Sequence, residues 1–427
     1  MKKDYTIETK CVQGGYTPGN GEPRQIPIIQ STTFKYETSE AMGKLFDLEA
    51  SGYFYSRLQN PTCDTVAAKI CELEGGVAAM LTSSGQAASF YSIFNIANAG
   101  DHVISSSSIY GGTYNLFAVT MKKMGIDFTF VSPDCTEEEL QAAFRPNTKA
   151  VFGETVANPA LTVLDLEKWA KVAHRNGCPL IIDNTFATPV NCRPFEFGVD
   201  IVTHATTKYM DGHGVSVGGC IIDSGNFDWA AHADKYPGLC TPDDSYHGIV
   251  YTEKFGKGAY ITKATAQLMR DLGSTPSPMS AFYINLGLES LHVRMERHCL
   301  NGLKVAEYLE KHEKIAWVNY PSLPSSPYYA LAQKYMPKGT CGVVSFGVKG
   351  GRKAAETFMK NLRLAAIETH VADARSCCLH PANATHRQLS EEELIAAGIP
   401  SDLVRFSCGI EHYEDLIADI EQALAKV

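Results

Sequence analysis

Three short segments of the 427-residue chain carry side chains of the right type, in the right kind of place, to do chemistry. Thr206-Thr207-Lys208-Tyr209 follows the apolar segment Val199-Asp200-Ile201-Val202 and precedes the glycine-rich Asp211-Gly212-His213-Gly214. A lysine on a loop is ordinarily a solvated charge, but this one stands at a strand end among hydroxyl neighbours. Asp183 closes the apolar strand Leu180-Ile181-Ile182. In open α/β sheets ligands sit off the carboxyl ends of strands, so a carboxylate there points at a site, although it could equally cap the segment that follows. Ser83-Ser84-Gly85-Gln86 opens a helix, where free N–H groups and the positive dipole end make a phosphate cradle; Ser84 as a simple cap is the plainer alternative. Together these are what pyridoxal phosphate needs. The lysine forms a Schiff base with the aldehyde, the aspartate keeps the pyridinium nitrogen protonated, and the cradle holds the phosphate. The combination is much more specific than any one member. His213 has no partner at ligand spacing, so no metal site is expected.

Such residues need a parallel sheet to carry them, and the chain alternates accordingly from about residue 62. A helical stretch over Thr62–Leu73 and a turn at Gly75-Gly76 lead into the apolar run Val77–Leu81; a second helix follows from Gln86 to about Ala97. His102–Ser105, Lys149–Phe152 and Pro179–Ile182 read as strands. Before the last of them, Leu166, Trp169, Ala170 and Ala173 share one helical face, with Asp165 placed to cap it and Gly177 to end it in the left-handed conformation. Short apolar strands alternating with helices imply a mostly parallel sheet covered on both faces.

The first sixty residues, with Gly14-Gly15, Pro18-Gly19, Gly21, Pro23 and Pro27, show no sustained period and are expected to form an irregular arm lying against another subunit. After Pro276 and Pro278, apolar residues from Leu288 through Met295 and Cys299 to Leu309 keep steps of three and four, which predicts one long helix connecting two domains. Alternating strands at Val344, Phe346 and Val348 and at Leu403–Ser407 follow, then a terminal amphipathic helix with Leu416, Ile417, Ile420 and Leu424. The expected division is an arm over 1–60, a large cofactor-binding domain over 61–285, and a smaller α+β domain over 286–427.

Composition limits the partners. Acidic residues outnumber basic ones 47 to 38, giving a net charge of −9, and no run of five like charges occurs, so neither nucleic acid nor an anionic membrane is an expected partner. The start of the chain lacks the apolar region of a secretory signal, and no stretch approaches a membrane span. The thirteen cysteines contain no C-x-x-C pair and read as small buried hydrophobes in a reducing cytoplasm.

Read in order, Tyr55-Ser56-Arg57-Leu58-Gln59-Asn60-Pro61-Thr62, Ser84-Gly85-Gln86, Tyr110-Gly111-Gly112-Thr113, Asp183-Asn184-Thr185 and Thr207-Lys208-Tyr209 resemble the Cys/Met-metabolism family of pyridoxal-phosphate enzymes over essentially the whole chain. Tyr114-Asn115-Leu116-Phe117, the stretch from Tyr236-Pro237-Gly238 to Tyr251-Thr252-Glu253, and His380-Pro381-Ala382-Asn383 to Thr385-His386 resemble its O-acetylhomoserine sulfhydrylase branch. The resemblance implies the type I fold of pyridoxal-phosphate transferases, similar to aspartate aminotransferase, and a γ-replacement that converts O-acetyl-L-homoserine and sulfide to L-homocysteine and acetate, with methanethiol as an alternative nucleophile.

It also implies roles. Lys208 would be the Schiff-base lysine and proton shuttle, and Tyr110 would stack on the cofactor ring and assist proton transfer. Asp183 would hold the ring nitrogen, Asn158 the ring 3′-oxygen, and Gly85, Gln86 and Thr207 the phosphate. Tyr55 and Arg57 would reach the phosphate of a neighbouring subunit, implying a homo-oligomer, at least a dimer and by resemblance a tetramer. Arg405 would fork the substrate carboxylate. His370, where many relatives carry Asn or Ser, would contact substrate or be structural. Lys208 and Tyr110 must each work as base and as acid, which calls for burial and neighbouring positive charge around them.

One departure is Ala205, where many relatives have serine; a phosphate hydrogen bond is then missing or supplied by Thr206. Methionine or cystathionine γ-lyase and cystathionine γ-synthase share the early steps. Methionine γ-lyases usually carry cysteine where this chain has Gly112. A non-catalytic pyridoxal-phosphate protein on the same fold is the alternative from another class, and the intact set Lys208, Asp183, Tyr110 and Arg405 argues against it.

Overall fold

The computed structural model describes residues 5–384, Arg387, Glu392 and 399–427; Thr385 and His386 of the His380 segment lie outside the described residues. The helix Pro61–Glu74 shows how directly local chemistry sets the elements. The Asn60 side chain accepts the Thr62 N–H at 3.0 Å, Pro61 occupies the first turn, and Gly75 closes the helix at φ +82°. That end needs glycine because the chain turns through the left-handed region there. The helix Leu166–Arg175 likewise starts on Asp165, which accepts the Lys168 N–H, and Gly177 beyond it takes φ +60°.

Seven strands form the large sheet: β1 (Ala78–Thr82), β2 (His102–Ser106), β3 (Asp127–Val131), β4 (Thr148–Glu154), β5 (Leu180–Asp183), β6 (Ile201–His204) and β7 (Gly219–Asp223). Their spatial order is β1-β7-β6-β5-β4-β2-β3. β7 runs antiparallel to both neighbours, and all other pairs are parallel. The side-chain period of two divides the strand residues between two apolar clusters. Val151, Leu180, Ile182 and Val202 join one cluster, and Phe152, Ile181 and Ile201 join the other. Both faces are therefore covered, as a parallel sheet requires. Because β1, β2, β4, β5 and β6 point the same way, the loops that follow them emerge along one edge.

A second sheet holds β8 (Ile315–Asn319), β9 (Val343–Val348), β10 (Ala366–Ile367), β11 (Cys377–Leu379) and β12 (Leu403–Ser407), in the order β10-β11-β12-β9-β8. It is antiparallel except for the β10–β11 pair. The terminal helix Tyr413–Leu424 buries Leu416, Ile420 and Leu424.

Two sequence expectations need correction. The arm is not wholly irregular: Ile7–Gln13 and Ser39–Phe46 are helical, each too short for its period to stand out. The predicted long helix is two, Pro278–Glu289 and Leu291–Glu310, interrupted at Ser290. Arg294 reaches back across the break to the carbonyls of Gly287 (2.6 Å) and Tyr209 (2.7 Å), with Nε donating to Ser290 Oγ at 3.0 Å. Gly287 lies so close to the chain after Lys208 that a Cβ there would stand 2.1 Å from the Met210 carbonyl oxygen. The apolar step runs through the break because both helices turn Leu288, Leu291 and Met295 to the same core.

All thirteen cysteines are unpaired, twelve of them buried and Cys240 half-buried. Among the described residues no helix is long and apolar enough to cross a membrane, and no cluster of His, Cys, Asp and Glu could hold a metal ion.

Candidate active site

The loops after β1 and β6 meet first. Ser84 extends from the end of β1 and caps the helix Gly85–Phe94 by accepting the Ala87 N–H at 3.1 Å. The helix offers no acceptor to its own first-turn N–H groups, those of Gly85 and Gln86, so they are free to take an anion. A Cβ on Gly85 would lie 2.6 Å from the Ala205 Cβ and 2.9 Å from its Cα, so only glycine lets the two loops approach this closely. Thr207 is tied to Gly218, its hydroxyl donating to the carbonyl at 3.1 Å and accepting the N–H at 3.0 Å. Thr206 is fully buried and its hydroxyl has no hydrogen-bond partner among the described residues; it packs against Gly218, where a Cβ would come within 2.4 Å of it.

Asp183 and Glu154 stand opposite one another at the ends of β5 and β4. Asp183 accepts the Thr185 N–H at 2.9 Å, and burial raises its carboxyl above the ordinary range. Glu154 is raised well above that range, by burial first and then by the Asp183 charge. Its Oε1 accepts the Tyr110 N–H at 2.6 Å and its Oε2 the Asn158 N–H at 3.2 Å. The Tyr110 ring is exposed at this edge beside Gly112, where a Cβ would lie 2.5 Å from ring atom Cε1 and 3.1 Å from Gln86 Nε2. Gln86 in turn accepts the Thr113 hydroxyl proton at 3.0 Å.

The second sheet closes the site from the other side. Lys208 Nζ donates to His370 Nδ1 at 3.2 Å. Burial, and then the Arg405 charge, lower the Lys208 amine from 10.5 to about 8. Arg405 rises from β12; Nη1 donates to Asn158 Oδ1 at 3.3 Å, and Nη2 to the carbonyls of Thr369 (3.1 Å) and His370 (3.2 Å). Burial lowers Arg405 to about 10, which still leaves it charged near neutrality, and among the described residues its Nε is buried without a partner. His370 Nε2 is in the same condition, and burial followed by the Lys208 charge lowers the imidazole. A fixed guanidinium with an unused donor and a buried amine held partly neutral beside it can bind a carboxylate and move protons.

Tyr55 and Arg57 are not brought to this cluster. The Arg57 guanidinium lies 5.2 Å from the Tyr55 ring centroid and donates to the Arg270 carbonyl, while its own carbonyl accepts the Thr275 hydroxyl at 2.7 Å. Both line a cavity of about 1580 Å³ beneath the arm, which Lys208, Asp183 and Arg405 do not line.

The gathered donors fit pyridoxal phosphate: a Cβ-intolerant cradle at a helix start, a buried strand-end carboxyl, an amine of lowered basicity and a guanidinium with an orphaned Nε. Two features escaped the sequence reading. One is Glu154, which lies in no recognisable local pattern. The other is a buried pair behind the sheet edge: His204 Nε2 meets Glu74 Oε1 at 2.5 Å, and Asn184 Nδ2 donates to the same oxygen at 3.0 Å. A carboxylate at a helix end and a histidine 130 residues away give no joint signal in the chain; a polar residue inside an apolar strand end, as at His204, is the only local hint.

Comparison with known proteins gives concordant findings. The profile of the Cys/Met metabolism PLP-dependent enzymes matches residues 8–425. A homocysteine synthase of Schizosaccharomyces pombe is 44% identical over 98% of both chains. An O-acetyl-L-homoserine sulfhydrylase of Leptospira meyeri is 42% identical over 100% of this chain and 98% of its own. A Campylobacter jejuni crystal structure, described as a putative O-acetylhomoserine (thiol)-lyase carrying a pyridoxyl-lysine monophosphate, superposes with a TM-score of 0.95 at 37% identity, covering 99% of this chain and all of its own.

Proposed function

Because the chain belongs to the Cys/Met metabolism family of PLP-dependent enzymes, we propose that it replaces the acetoxy group of O-acetyl-L-homoserine with sulfide, releasing L-homocysteine and acetate. The observation that carries this reading is full-length similarity, at 42–44% identity, to proteins named for that chemistry. When bound, PLP supplies an aldehyde for the amine and a conjugated ring that draws electron density from Cα.

The residues then divide the work. Lys208 holds the cofactor and, once freed, moves protons at Cα and Cβ of the substrate; its lowered basicity makes a neutral amine available near neutral pH. Tyr110 covers the ring and assists at the departing and arriving Cγ groups. Asp183 accepts the hydrogen bond of the ring nitrogen and keeps it charged, and Asn158 takes the 3′-oxygen. Gly85, Gln86 and Thr207 hold the phosphate. Arg405 presents its unused Nε to the α-carboxylate, and His370 borders the substrate through its unpartnered Nε2. Tyr55 and Arg57 complete the phosphate site of a neighbouring subunit in a homo-oligomer of two or four chains, consistent with their separation from Lys208 within one chain. Sulfide enters as HS⁻ and acetate leaves, so charge and protons balance.

Gly112 stands where methionine γ-lyases usually carry cysteine, which argues for replacement over methionine γ-elimination; the Tyr110 ring lies 2.5 Å from where a Cβ would be. Mass spectrometry of products tests the proposal. Homocysteine and acetate should form from O-acetyl-L-homoserine only when sulfide is added. Substantial 2-oxobutanoate and ammonia without sulfide would make elimination the native reaction.

A further inference from the structure

Glu154 makes no ion pair among the described residues, is only 7% exposed, and yet is not idle. Each of its two carboxyl oxygens accepts one backbone N–H, from Tyr110 on the loop after β2 and from Asn158 on the loop after β4. Those loops carry the ring-covering tyrosine and the asparagine facing the 3′-oxygen. The linkage continues: Asn158 Oδ1 accepts from Arg405, Arg405 Nη2 donates to the His370 carbonyl, and the His370 ring accepts from Lys208. One run of hydrogen bonds thus leads from Tyr110 through Glu154 to Lys208, and Glu154 is its only carboxylate.

We propose that Glu154 is a positioning residue that fixes the Tyr110 loop relative to the Asn158 loop, and thereby the tilt of the bound cofactor between them. The reason lies in the acceptor count. The buried carboxyl group meets two N–H donors with its two oxygens, and each unmet donor in such a place is costly. Glutamine has the same size but one oxygen, so its amide nitrogen must face one of the two N–H groups and release that loop. Aspartate keeps both oxygens but is one methylene short of spanning the loops. Glu154→Asp keeps the carboxyl beside Asp183 and shortens only the reach, so a defect shared by both variants reports the tether rather than the electrostatics of Asp183.

The inference rests on Tyr110 and Asn158 facing PLP, and its test separates the two readings. The full-length enzyme and its Glu154→Gln and Glu154→Asp forms are loaded with PLP and compared by visible circular dichroism, cofactor affinity and kinetics with O-acetyl-L-homoserine and sulfide. In both variants the visible dichroic band should change shape or sign and kcat should fall at least about tenfold, because small misplacements of reacting groups cost that much or more. The melting temperature of the apoprotein should fall by no more than roughly ten degrees for Glu154→Gln, the mark of one unmet donor in a chain that still folds. A wild-type visible band with kcat within about twofold of wild type in a folded Glu154→Gln enzyme would overturn the inference; failure of the unaltered enzyme to bind PLP would overturn the functional reading instead. Amide hydrogen exchange on the unaltered protein needs no variant to fold. The Tyr110 and Asn158 amides should be strongly protected despite lying in loops, and exchange at open-loop rates would refute the tether.

Discussion

The Lys208 amine offers the most direct quantitative test, because its environment can be turned into a rate. Burial and the Arg405 guanidinium lower it from 10.5 to about 8. At pH 7 a lysine titrating at 10.5 is a free amine in roughly three molecules in ten thousand, whereas one titrating near 8 is free in about one in ten, a gain of roughly 300-fold. The sign follows from burial opposing the charged form of a base. Loading of PLP onto the apoprotein, followed by its visible band and divided by the rate for a small free amine at each pH, isolates this gain from the titration of PLP itself. The absolute loading rate should rise about tenfold per pH unit below 8 and level off above it, while the small amine keeps climbing toward its own higher pKa. Arg405→Met removes the second contribution, so its midpoint should move upward toward that of an ordinary lysine. A wild-type rate that still climbs about tenfold per unit past pH 9 would show that Lys208 is not desolvated and would refute the reasoning.

Two further outcomes follow from close contacts elsewhere in the site. Gly112→Cys places a side chain where the Tyr110 ring atom would be 2.5 Å from its Cβ, so the ring must swing and kcat for homocysteine formation should drop about tenfold or more; steady-state kinetics showing no change would mean that the ring has room to spare. Glu74→Ala strips the buried His204 and Asn184 of their shared acceptor, and urea unfolding should show a loss of about 3 kcal/mol or more, since removing one member of a buried pair leaves the other unsatisfied; a loss below about 1 kcal/mol would show that the pair relaxes freely.

What the sequence determined by itself is what neighbours along the chain can decide. Asn60, Asp165 and Ser84 open helices, Gly75 and Gly177 end segments, and apolar runs of four or five residues make strands, because capping and periodicity act within a few residues. Strand ends then place Gly85, Asp183 and Lys208 on one edge as soon as the strands are parallel, so the cofactor chemistry is legible in the chain itself. Tertiary structure alone decided the rest. The helix is interrupted at Ser290, where Arg294 and the close pass of Gly287 over Met210 act across the fold, and periodicity cannot register a break that keeps the apolar face aligned. His370 finds Lys208 across 162 residues, Arg405 finds Asn158 across 247, and Glu154 joins two loops that share no motif. A side chain's partner at such range depends on how two sheets pack together, and the energy that selects it is spent in burying polar groups against one another, which no local pattern of residue types records.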